Sequence, residues 1–132
     1  MEQIDEKQQE LIYKFSMFEQ QIQQINEQLG LVEQGMNELR NLKEGIDEIK
    51  GKKDEEILAH IGRGIFVKAK ILSDDLIVDI GKKNFVEKTP EETKAMINKQ
   101  IKRIEEIKES LNNSLQEMNS EMVKMIEEVE KS

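Results

Sequence analysis

Two stretches of this chain space their apolar residues in alternating steps of four and three, and that spacing limits the possible fold more than any other feature. The first stretch carries Leu11, Phe15, Phe18, Ile22, Ile25, Leu29, Val32, Met36 and Leu39. The second carries Ile97, Ile101, Ile104, Leu111, Leu115, Met118, Met122, Met125 and Val129, with Lys108 filling one position. Such steps draw one narrow apolar stripe along a helix, the seam of a coiled coil. In the first stretch Ile46 keeps the register, but Lys43 and Lys50 fall on the seam with Leu42 and Ile49 beside them, so the stripe drifts near its end. Gly30, Gly35 and Gly45 each weaken that helix by about 1 kcal/mol, which makes it dependent on a partner.

The expected helices run over 4–50 and 90–130. Thr89-Pro90-Glu91-Glu92 opens the second, with Thr89 as cap, Pro90 at the first helical position and Glu92 to complete a capping box. At 1.5 Å per residue the two lengths are about 70 Å and about 60 Å. Matching lengths and single stripes favour folding back, antiparallel, with residue i facing about residue 140 − i. Composition agrees: charged residues are 36% and aromatics 4%, with no Trp, which suits a stripe-buried pair better than a compact sphere.

Between the helices the pattern changes. Ile57-Leu58-Ala59-His60-Ile61, Ile65-Phe66-Val67-Lys68-Ala69-Lys70-Ile71, Leu76-Ile77-Val78-Asp79-Ile80 and Asn84-Phe85-Val86-Glu87 are short and rich in β-branched residues. They are punctuated by Gly62-Arg63-Gly64, Ser73-Asp74-Asp75 and Gly81-Lys82-Lys83. They read as two linked β-hairpins within 57–87. Four short strands leave edges and apolar faces that need cover. The simplest cover is the same segment of other subunits, closing an intersubunit β-barrel. Ile57, Ile61, Ile65, Phe66, Val67, Ile77, Val78, Ile80 and Phe85 are the expected assembly residues. The fold class is therefore mostly α with a small β segment: a long antiparallel two-helix coiled coil joined by two hairpins, one unit over 1–132.

Several functions are excluded. The net charge of −8 disfavours nucleic acid. No cysteine is present for disulfides, thiolate metal sites or nucleophiles. The polar start MEQIDEKQQE is no signal peptide, and no apolar run approaches the ~20 residues of a membrane span. A cytoplasmic protein that avoids membranes is expected. His60 is the single histidine and lacks catalytic partners nearby in sequence, and Gly62-Arg63-Gly64 lacks the rest of a phosphate loop. No enzyme, cofactor or metal is expected.

The order helix, two hairpins, helix resembles the α-type subunit of the prefoldin family over essentially the whole chain. The likeness is carried by the strand region from Ile57 through Ile61-Gly62, Ile65-Phe66-Val67-Lys68-Ala69 and Ile77-Val78-Asp79-Ile80-Gly81 to Lys83-Asn84-Phe85. The resemblance implies an ATP-independent chaperone, a hexamer of two α and four β-type subunits on a double β-barrel. Its coiled-coil tips would hold unfolded clients and deliver them to a group II chaperonin. The family also contains filament-forming relatives, so a structural role without dedicated client transfer is the alternative.

A holder needs accessible, adaptable apolar surface. Near the termini the chain offers Ile4, Leu11, Ile12, Tyr13 and Phe15 opposite Met118, Met122, Val123, Met125, Ile126 and Val129. Ile12, Val123 and Ile126 lie off the seam, and methionine adapts to varied partners. Apart from Tyr13 these are the expected client-binding residues, although the methionines also serve as ordinary seam.

Overall fold

A computed structural model of the protein describes residues 6–131. In chain order the elements are α1 (Glu6–Ile49), β1 (Glu56–Gly62), β2 (Ile65–Lys70), β3 (Leu76–Asp79), β4 (Phe85–Lys88) and α2 (Pro90–Lys131). Ile4 lies outside the described residues. The chain divides into an arm unit, 1–36 with 103–132, and a hairpin unit, 37–102.

In the hairpin unit, α1 ends where Gly51 takes the left-handed conformation, φ 77°, a conformation that costs glycine little. The helix α2 begins as its sequence predicts. Thr89 Oγ1 accepts from the Glu92 N–H at 3.1 Å, the forward half of the expected box, and Pro90 is buried. Thr93 is buried too, and its hydroxyl donates to the Thr89 carbonyl at 2.9 Å. Ile46 and Ile97 form the tightest packing here, 4% and 1% exposed. Two ion pairs, Lys50–Glu91 and Lys94–Asp47, tie the helices together one residue away from the expected register.

The hairpins are separate two-stranded antiparallel sheets. In the first, β1 and β2 pair Ile57 with Ala69 and Ala59 with Val67 on one face, Leu58 with Lys68 and His60 with Phe66 on the other. Its turn residues Arg63 and Gly64 both have positive φ, 49° and 76°, as the tight hairpin turn that fits strand twist demands. A bulge between His60 and Gly62 adjusts the register.

In the second hairpin the burial alternates strictly. Leu76, Val78, Val86 and Lys88 are half-buried within the protomer, while Ile77, Asp79, Phe85 and Glu87 face outward. Val78 therefore differs from the other expected assembly residues, because its face is already partly covered. The turn at Gly81–Asn84 closes with Asn84 N–H donating to the Gly81 carbonyl at 3.0 Å, and Asp79 Oδ1 accepts from the Gly81 N–H at 2.8 Å.

In the arm unit the two seams meet as the spacing predicts. Ile25 and Met36 are buried at 8% and 3% exposure. Lys108, on the seam, pairs with Glu33 across the interface, which gives its charge a partner. A Cβ on Gly35 would lie 4.0 Å from Ile104 Cδ1, so the helices approach closely there. Leu11, Phe15, Phe18, Ile22, Leu29, Val32, Leu111, Leu115, Met118, Met122 and Met125 are half-buried, as two helices alone can cover each stripe from one side only. Val129 departs from the expected seam: it is 52% exposed, where the helices near their ends.

Candidate functional site

The spacing that builds the arm also leaves it incompletely closed. At the end nearest the chain termini, Leu11, Ile12 and Phe15 of α1 face Met125, Ile126 and Val129 of α2 around an apolar cleft of about 400 Å³, with Glu130 at its edge. Six of the ten expected client-binding residues meet here. Ile12 and Ile126 are 59% and 45% exposed. Each follows a seam residue whose next seam neighbour is four positions on, Leu11 before Phe15 and Met125 before Val129. In an antiparallel pair that position flanks the seam on the side facing the partner helix, which is why both reach the cleft.

The remaining expected residues divide differently. Met118 lines a second, more polar groove with Phe18, two helical turns from Met125 on α2 and one from Phe15 on α1. Met122 is half-buried in the seam. Val123 is 54% exposed but lies in a shallow groove with Asn119, Ser120, Lys124 and Glu127, all on α2 itself. It follows Met122, whose next seam neighbour is only three positions on, and so stands on the outer face of its helix; the heptad position already separates Val123 from Ile126. Glu130 and Phe18 are lining residues that the sequence does not single out. The seam role of Phe18 hides it, and the charge of Glu130 suggests only a solvated face.

The hairpins present a second apolar surface. Ile61, Ile65, Phe66, Ile77, Ile80 and Phe85 are between 53% and 71% exposed; Ile57 and Val67 are less so, 37% and 48%. Isolated exposed side chains are ordinary, but this many on two hairpins with open edges mark an interaction surface. On the first hairpin Phe66 stacks at a tilt against His60, ring centres 5.0 Å apart. His60 Nε2 also accepts from the Gly64 N–H at 3.4 Å, so the histidine serves the turn.

The electrostatics of the hairpin unit are structural in character. Its hydrogen bond to Lys94 holds the Asp47 carboxyl below the usual carboxylate range. Lys50 lowers Glu91 in the same way, and Glu91 in turn raises Lys50. These groups are solvent-exposed and serve the helix pairing. Among the described residues, no three His, Asp or Glu side chains group as a metal site, and no helix is long and apolar enough to cross a membrane.

Comparison with known proteins joins these features. The family model described as "Prefoldin subunit" matches residues 18–132. "Prefoldin subunit alpha 1" of Thermococcus kodakarensis is 34% identical over 98 residues, covering 73% of this chain and 67% of that protein. "Prefoldin subunit alpha" of Methanococcus maripaludis is 31% identical over 117 residues, 88% of this chain and 80% of the relative. Among solved structures, a chain from the "Cryo-EM structure of filamentous PFD from Methanocaldococcus jannaschii" superposes with a TM-score of 0.80 at 19% identity. The match covers 88% of this chain and 98% of that one, and it shows the same fold.

Proposed function

Because the chain belongs to the prefoldin α-subunit family, a family of non-enzymatic chaperones, we propose that it holds unfolded proteins at the apolar end of its arm without nucleotide. The observation that carries this reading is the cleft between Leu11, Ile12 and Phe15 on one helix and Met125, Ile126 and Val129 on the other. An unfolded client exposes apolar segments, and the cleft offers flexible methionine and aliphatic surface that stays accessible. Each contact is weak, and several arms in one oligomer would add their contacts by multivalency.

The oligomer would form through the hairpins, whose exposed faces and open edges need partners. Two α chains with four β-type subunits would present six arms, release clients to a group II chaperonin, and work in the cytoplasm. The M. jannaschii protein of the same fold is filamentous, and this favours a second reading, in which the same hairpins build an open array. Light scattering separates the two: a closed hexamer has one mass at all concentrations, whereas an array grows with concentration.

The holding activity is tested by suppression of aggregation of reduced, denatured lysozyme. The assembled oligomer should suppress it, and removing the first fifteen residues together with 122–132 should abolish suppression while the assembled mass stays in proportion. Undiminished suppression by the trimmed oligomer would exclude the cleft as the holding site.

A further inference from the structure

Charge is divided very unevenly along this protein. The arm unit, 1–36 with 103–132, contains six Lys or Arg and fifteen Asp or Glu, a net of −9. The hairpin unit contains fourteen and thirteen, a net of +1. Between Lys14 and Arg40 the helix α1 carries no base at all, only Glu19, Glu27, Glu33 and Glu38. On the facing stretch of α2, Lys108 is engaged by Glu33, and the next base is Lys124. The apolar cleft thus opens at the end of a strongly acidic arm.

The local surroundings follow the same rule. The cleft is edged by Glu130. In the adjoining groove, Phe18 and Met118 are accompanied by Glu117 and Glu121 against a single cation, Lys124. Counting along α2 from Met125, Glu121 lies one turn and about 6 Å back on nearly the same face, whereas Glu117 lies about 12 Å back and is turned away from Ile126. An extended chain covers the distance to Glu121 in about two residues.

From this juxtaposition we infer that the cleft selects by charge: it takes apolar segments flanked by Lys or Arg and discriminates against those flanked by Asp or Glu. The inference deepens the client-holding reading and rests on it. The apolar anchor seats among Ile12, Met125 and Ile126, and a cation about two residues away meets Glu121 or Glu130. The wider field of the arm concentrates cationic segments before contact and repels anionic ones. Aliphatic burial supplies the holding energy, and charge supplies the choice among clients. Exposed pairs are individually weak and screened, so the preference must fade with salt.

The test uses the assembled oligomer and three fluorescent, unstructured peptides that share one core of alternating Leu and Phe. The core is flanked by two residues on each side: Lys in the first peptide, Gln in the second, Glu in the third. At 50 mM salt the Lys-flanked peptide should bind on the order of fivefold more tightly than the Gln-flanked one, and the Glu-flanked peptide should bind most weakly. At 500 mM salt the three affinities should converge. The combined variant Glu117→Gln, Glu121→Gln and Glu130→Gln should narrow the gap between Lys- and Glu-flanked peptides at low salt. Equal affinities for all three peptides at 50 mM salt overturn charge selection but leave client holding standing. Failure of every peptide to bind, the Gln-flanked one included, overturns both.

Discussion

The arm and hairpin units use the same amino acids to opposite ends. In the hairpin unit Ile97 is almost fully covered, at 1% exposure, and Ile46 nearly so. Its helices are also clamped by Lys50–Glu91 and Lys94–Asp47. Toward the termini of the arm unit no side chain among the described residues is buried to that degree: Leu11, Phe15 and Met125 are half-buried, and Ile12, Ile126 and Val129 are largely exposed. The seam spacing does not explain this, since the first stripe drifts at Lys43 and Lys50 in the hairpin unit and stays regular in the arm. The difference is that Pro90, Thr93 and the capped helix start accompany the seam in one unit, whereas the helices stand alone near their ends in the other. The seam is thus closed beside the hairpins and along the arm at Ile25 and Met36, and it opens toward the helix ends.

The comparison breaks most visibly by charge insertion. Ile77→Asp places a charge on the outward face of the second hairpin and should reduce the assembled mass to that of smaller species. Ile126→Asp, on the arm, should leave the mass unchanged. Both variants should keep their helical circular dichroism. If Ile126→Asp also dissociated the oligomer, the arm would be part of the assembly surface. The second contrast is in stability. Ile97→Ala removes a fully packed side chain and should cost about 3 kcal/mol, whereas Met125→Ala should cost about 1 kcal/mol or less. Urea unfolding of the two variants measures both, and equal losses would contradict the gradient of packing.

The smallest effect is acid sensitivity. Asp47 and Glu91 are held below their ordinary range in the folded protein by hydrogen bonds to Lys94 and Lys50. A lowered carboxylate contributes stability above its unfolded pKa, and that contribution disappears as pH falls through the folded value. The hairpin unit should therefore weaken below about pH 4. The acidic arm should respond oppositely at first, because protonation relieves its self-repulsion. The combined Asp47→Asn and Glu91→Gln variant should lose less stability than wild type between pH 6 and pH 3. An identical loss would show that these pairs contribute nothing.

Much of this is legible in the sequence for specific reasons. Both seams, the Thr89 cap and the Gly62-Arg63-Gly64 turn depend on local chemistry, and the structure reproduces them. Ion pairing is not legible, since Lys108 could reach several glutamates and only the helix register selects Glu33. Nor is the orientation of the second hairpin, because Leu76-Ile77-Val78 is apolar on both faces and strand alternation alone does not tell Val78 from Ile77. At the arm end, a following seam step of four rather than three separates Ile12 and Ile126 from Val123. That distinction lies in the spacing itself, whereas the cleft volume depends on how the two helices settle in space.

Hydrogen exchange on the assembled oligomer, with and without reduced, denatured lysozyme, addresses the central claim of an open arm and a closed hairpin unit. Without client, amides around 93–104 should exchange slowly and those around 118–130 quickly. Added client should slow exchange around 8–18 and 118–130 and leave 56–88 unchanged. Slowing confined to the hairpins, or uniform exchange along α2 before client is added, would contradict the account.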